Sequence, residues 1–159
     1  MPATSSPSSL TPAEWQTVRD LVARREPGYT MPGELYHNPL VYRAELERIW
    51  RRGWLFVGHT CEIPSAGDYF MFDLDNDSLI VIRNDDGAVN ALWNVCRHRG
   101  MVIACEAAGN CGESLRCGYH GWEYDLTGAL IRVPQRKPQF PDLDLDTAGL
   151  LPVAVSTWG

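Results

Sequence analysis

Cys96-Arg97-His98-Arg99-Gly100 and Cys117-Gly118-Tyr119-His120-Gly121-Trp122 are the stretches on which the reading of this chain turns. The first carries a Cys-x-His pair and the second a Cys-x-x-His pair, with residues 99–116 between them. Each pair is short enough for both side chains to reach one metal site from one loop. Gly100 follows the first pair, Gly121 follows the second, and Gly118 lies inside the second. Glycine permits the sharp turns and close backbone approach that a loop around a cofactor needs. Such loops also aim backbone N–H groups inward, toward anionic sulfur. Outward from the loops, short apolar or alternating runs at residues 54–58, 69–74, 79–83 and 88–93 read as strands. Asp75-Asn76-Asp77 and Asp85-Asp86-Gly87 separate the last three as hairpin turns. On the other side, residues 122–125 and 129–133 flank Leu126-Thr127-Gly128, a further hairpin. Residues 134–146 are dominated by Pro and Asp and predict a surface excursion, and residues 153–155 predict the beginning of a strand.

The N-terminal third has a different pattern. Thr11-Pro12-Ala13-Glu14 is a helix start, with Thr11 as cap, Pro12 in the first turn and Glu14 closing a capping box. Trp15, Val18, Leu21 and Val22 recur at helical spacing to about Arg25, and Pro27-Gly28 ends the helix. Asn38-Pro39 opens a second helix, carried by Leu40, Tyr42, Leu46, Ile49 and Trp50 to about Arg52, with Gly53 as stop. Its stripe is imperfect, because Tyr42 departs from the main line. Residues 1–10 are rich in Ser and Pro and predict a disordered lead-in. The plan is therefore mainly β, α+β overall: helices over residues 11–53, then a small antiparallel β domain over residues 54–150.

With 159 residues, the length fits one domain, or one domain with an appendage, since domains run to about 100–200 residues. Twenty acidic against 14 basic residues give a net charge of −6, which argues against a nucleic-acid binder. No apolar run approaches the roughly 20 residues of a membrane span. The first residues lack the basic start and apolar stretch of an export signal, so a cytoplasmic location is expected. Five cysteines stand at 61, 96, 105, 111 and 117. An odd count without an export signal argues against a disulfide framework and toward metal binding.

Two Cys and two His admit two readings. One is a structural tetrahedral zinc site. The other is a Rieske [2Fe–2S] centre, with two thiolates on one iron and two imidazoles on the other. Zinc fingers typically space their Cys as one pair and their His as another, whereas here each loop brings one of each. Ligand identity alone leaves both open.

The two loops, with Tyr124-Asp125 and Gly128 after them, resemble the signature of Rieske non-haem iron oxygenases, the α subunits of aromatic ring-hydroxylating dioxygenases and of choline-, betaine- and carnitine-type monooxygenases. The resemblance extends over roughly residues 30–159. It implies a Rieske-type antiparallel β domain with a two-loop cluster-binding subdomain. Cys96, His98, Cys117 and His120 would be the cluster ligands. Gly118 departs from the family pattern, where many members carry Pro. Such subunits hold a mononuclear Fe(II) in a further catalytic domain, on two His and one carboxylate. This sequence has no Asp-x-x-His-x-x-x-x-His segment, and only His37 and His59 remain after the cluster takes its pair. No catalytic residue is therefore expected in this chain, which would be inactive alone. Residues 151–159 would begin the domain that follows.

The implied function is electron transfer from a reductase or ferredoxin to an iron that activates O2 and hydroxylates an aromatic or small organic substrate. The full-length protein would be a homotrimer or an α/β hetero-oligomer, with no nucleic-acid or membrane partner. The alternatives are a free-standing Rieske ferredoxin and a structural zinc module. Respiratory Rieske proteins staple their loops with a disulfide, but Met101 and Tyr119 occupy those positions here, so no staple is expected. High-potential Rieske proteins also place a Ser two residues after the second His, where this chain has Trp122. Trp122 is expected to pack over the cluster. Cys61, Cys105 and Cys111 are expected to be free thiols.

Overall fold

The computed structural model describes residues 9–158, and the chain divides into two compact units, Met1–Phe56 and Val57–Gly159. Of the expected lead-in, residues 1–8 lie outside the described residues. Leu10 is buried with Val18 and Ala44, and its N–H donates to Glu47 Oε2 at 3.2 Å.

The first unit is helical. Helix α1 (Pro12–Ala23) starts as expected: Thr11 Oγ1 accepts from Glu14 N–H, and Glu14 Oε2 accepts from Thr11 N–H at 2.7 Å. Helix α2 (Pro39–Glu45) is capped by Asn38, whose Oδ1 accepts from Leu40 N–H at 2.9 Å. Arg43 pairs with Glu14 at 2.9 Å and ties the two helices together. Past Glu45 the chain widens into a π turn, Leu46–Trp50, with Arg51 N–H donating to Leu46 C=O. The wider turn shifts the phase. Val41, Ala44 and Leu46 are buried, while Tyr42, Ile49 and Trp50 of the expected stripe are exposed.

The second unit is antiparallel β. Among the described residues, the five-stranded sheet contains β1 (Asp68–Leu74), β2 (Asp77–Arg83), β3 (Val89–Trp93), β4 (Ala108–Asn110) and β8 (Pro152–Val153) in the order β4-β1-β2-β3-β8. A second sheet has the order β5-β6-β7, from β5 (Leu115–Arg116), β6 (Glu123–Tyr124) and β7 (Leu130–Arg132). The hairpin turns expected between β1, β2 and β3 are present, and β6 pairs antiparallel with β7 around the third. Asp75-Asn76 joins β1 to β2 with Asp75 at φ 57°, and Asn84 N–H donates to Ala88 C=O across the turn from β2 to β3. The period of two sorts β2 between two cores. Ile80 and Ile82 join Leu92, Trp122 and Tyr124, while Val81 joins Ile63 and Ala91.

Two features differ from the sequence reading. Residues 54–58 form no strand: Trp54 and Phe56 are 75% and 77% exposed. The excursion after β7 is anchored, because a short helix α3 (Arg136–Gln139) leads into Phe140, Leu143 and Leu145, which pack on the main core. The strand expected to begin at residues 153–155 is present one residue earlier, with Pro152 paired to Leu92 and Val153 to Ala91. Among the described residues, no helix is long and apolar enough to cross a membrane.

Candidate metal centre

The two loops are built alike. In the first, which follows β3, Gly100 N–H donates to Cys96 C=O at 2.9 Å and Cys96 N–H to Met101 C=O at 2.8 Å. In the second, between β5 and β6, Gly121 N–H donates to Cys117 C=O at 3.0 Å and Cys117 N–H to Trp122 C=O at 2.9 Å. Both turns close through a left-handed residue, Gly100 at φ 71° and Gly121 at φ 69°, which a side chain would strain. Each cysteine thus sits at the base of its turn and each histidine toward the tip.

The structure brings the four predicted donors together in two like pairs. Cys96 and Cys117 are each 2% exposed, within the main core, and close enough for the two thiols to interact. The rings of His98 and His120 are 4.5 Å apart at 71°. His98 is half-buried and His120 exposed. Trp122 lies flat against His98, ring centroids 4.9 Å apart at 6°, as a cover would. Tyr119 lays its ring 3.8 Å from that of His120. Among the described residues, no three His, Cys, Asp or Glu side chains are placed to hold one ion. A tetrahedral zinc needs its donors converging on one point. Two irons need the pairwise division seen here.

Burial sets the electrostatics. It pushes the Cys96 thiol above its ordinary range, an effect partly opposed by a hydrogen bond with Tyr124. Burial also lowers the His98 pKa, helped by the neighbouring His120 and Arg99. Both shifts favour neutral groups when no metal is bound. Ligation would reverse this at sulfur, because a coordinating thiol is deprotonated outright.

Two residues take supporting roles that the sequence reading did not give them. Tyr124 is fully buried, and burial raises its pKa further. Its Oη accepts from Arg97 N–H at 3.1 Å and lies 3.3 Å from Cys96 Sγ, so its own proton is available to that sulfur. The signal was present: Trp122, Tyr124 and Leu126 alternate inward, and a tyrosine in such a phase needs a partner for its hydroxyl. The other is Asn94, which closes the base of the first loop by accepting from Ile103 N–H and Ala104 N–H.

Residues 53–154 match the protein family described as Rieske [2Fe-2S] domain. The chain belongs to that family. The paired thiols and imidazoles fit its cluster, and the zinc alternative falls with the match. The chain is 38% identical over 157 residues to the glycine betaine monooxygenase oxygenase subunit of Chromohalobacter salexigens, covering 99% of this chain and 35% of that protein. It is 41% identical over 124 residues to the biphenyl 2,3-dioxygenase subunit alpha of Rhodococcus jostii, covering 78% and 27%. Among solved structures, naphthalene 1,2-dioxygenase from Rhodococcus sp. bound to indole superposes with a TM-score of 0.78 at 34% identity, over 89% of this chain and 32% of that one. The chain thus spans about a third of the length of these relatives.

The remaining histidines and cysteines lie on other segments of the chain. His37 ends the short 3-10 turn Gly33–Tyr36. His59 precedes the turn Thr60–Glu62, its N–H donating to Glu62 Oε1 at 2.6 Å. Cys61 and Cys105 are exposed, Cys111 is half-buried, and none forms a disulfide.

Proposed function

We propose that this chain is the electron-relay portion of a Rieske-type oxygenase α subunit. In this reading Cys96 and Cys117 hold one iron, and His98 and His120 hold the other. The chain takes single electrons from a reductase or ferredoxin and delivers them to a mononuclear iron in a further domain, where O2 is activated to oxidise an aromatic or other small organic substrate. When bound, the [2Fe–2S] cluster supplies a reversible one-electron store. The protein's part is to bury the thiolates, cover His98 and leave His120 at the surface as the point of exchange. Exposed Arg97 and Arg99 beside His98 offer positive charge to an acidic donor.

The observation that carries the oxygenase reading is the extent of the match to an oxygenase subunit, which includes the helices ahead of the β domain. A free-standing ferredoxin would leave residues 11–53 without a role. Biphenyl and glycine betaine in the names of relatives support an aromatic ring or a quaternary amine as substrate. The whole protein is read as a homotrimer or an α/β hetero-oligomer in the cytoplasm, a setting consistent with five cysteines free of disulfides.

Residues 1–159 loaded with cluster and given a competent reductase are expected to accept one electron, seen as bleaching of the visible bands. They are expected to oxidise no substrate in air, since residues 1–159 contain no Asp-x-x-His-x-x-x-x-His segment to hold a mononuclear iron. Substrate turnover would overturn the division of labour proposed here.

The reduction potential is expected toward the lower end of the Rieske range of about −150 to +300 mV, because Trp122 replaces the serine donor of high-potential proteins. Tyr124 supplies one hydrogen bond to sulfur, which stabilises the more negative reduced state. Tyr124→Phe should therefore lower the potential further, read by protein-film voltammetry. An unchanged or higher value would show that the hydroxyl does not reach the cluster.

A further inference from the structure

Residues 134–148 leave β7 as a loop that braces itself. Gln135 enters it at φ 52°, Gln139 Nε2 donates to Gln135 Oε1 at 2.8 Å, and Arg136 Nη2 donates to Leu143 C=O at 2.7 Å. Its apolar residues turn inward: Phe140, Leu143, Leu145 and Ala148 pack on the core that contains Cys96, Cys117 and Trp122. Phe140 reaches furthest toward the centre. Its ring stands edge-on to His98, at 5.4 Å and 86°, and to Trp122, at 5.7 Å and 88°. His98 is therefore enclosed by three rings: Trp122 on its face, with His120 and Phe140 set across it. His120, beside the rings of Tyr119 and His98, is exposed all the same.

We propose that residues 134–148 form a lid over His98, with Phe140 as the residue that seals it, and that this lid holds the centre's potential down. The inference rests on the ligand reading above. Two ferric ions, two sulfides, two thiolates and two neutral imidazoles carry no net charge, and one added electron leaves a single negative charge. An apolar cover penalises the charged state and so disfavours reduction. Admitting water at His98 would relieve that penalty. Phe140 is a positioning residue here: it touches a ligand and excludes solvent without binding metal.

Phe140→Ala is the direct test, with Phe140→Tyr as the conservative rescue. In Phe140→Ala the midpoint potential should rise. Deuterium modulation of the reduced cluster's spin-echo signal in D2O should increase, and oxidation by ferricyanide should accelerate several-fold. Phe140→Tyr should return all three readings to those of the wild type. An unchanged potential and unchanged deuterium access in Phe140→Ala, with iron and sulfide content intact, would overturn the lid. Should Phe140→Ala lose its cluster, Phe140→Leu is read the same way: an upward shift supports the proposal and no shift overturns it. Wild-type protein without two irons and two sulfides per chain would mean that the ligand reading itself had failed, and the lid with it.

Discussion

Cys96→Ala is expected to yield protein without cluster, colourless and iron-free, with a β unit of markedly lower stability. Cys96 is 2% exposed inside the core formed by Ile80, Leu92, Cys117, Trp122 and Tyr124. Its sulfur is one of two buried thiols that one iron would need, and a cluster cannot be held through a single thiolate. Metal binding contributes to folding wherever the site is unformed in the unfolded chain, so losing the cluster also removes stability. The sulfur deletion adds a packing defect of its own and leaves the Tyr124 hydroxyl without its neighbour. His120→Ala separates the two effects. His120 is exposed, so its truncation costs little packing, and the destabilisation it causes reports the cluster alone. Iron and sulfide analysis, visible absorbance and thermal unfolding measure all of this. Full iron content and colour in Cys96→Ala would refute the assignment. Equal unfolding temperatures for wild type and His120→Ala would show that the cluster adds nothing to the fold.

The four residues proposed as ligands could be singled out because the pattern is local: each Cys and His pair lies within one turn, and the glycines that shape the turn follow directly. Helix α1 was legible for the same reason, since Thr11, Pro12 and Glu14 form a cap within four residues. What escaped depends on partners distant in sequence. The apolar run at residues 54–58 carries β propensity, yet it forms no ladder with another strand among the described residues. Ala108–Asn110 and Leu115–Arg116 err the other way. They are too short and too polar to announce themselves, and they are strands only because β1 and β6 lie beside them. The excursion after β7 was read from its Pro and Asp content, which describes its outer face. Phe140, Leu143 and Leu145 decide where it docks.

Asn94→Ala is expected to be the most damaging substitution outside the ligand set. Asn94 is fully buried, and its amide is used on both sides. Oδ1 accepts from Ile103 N–H and Ala104 N–H, each at 2.9 Å, and Nδ2 donates to Ala104 C=O at 2.8 Å. These bonds join the residue two before Cys96 to the segment just beyond Met101, so they close the first loop at its base. Alanine would leave two N–H groups and one carbonyl without partners in a poorly hydrated place. Each such group costs about 1–3 kcal/mol, so a loss of about 3 kcal/mol is a low figure. For a protein of this size that corresponds to a fall in Tm of about 6–12 °C. The loop would also loosen, and the cluster should be lost faster to a chelator. Asn94→Asp refines the test. A carboxylate keeps the two acceptances but sets its other oxygen against Ala104 C=O, whereas the protonated acid would donate there as the amide does. Asn94→Asp, read by thermal unfolding beside Asn94→Ala, therefore isolates the lost donation to Ala104 C=O. A Tm within about 2 °C of wild type for Asn94→Ala, against the per-residue scaling used here, would mean that the loop is held by its own turn and not by this amide.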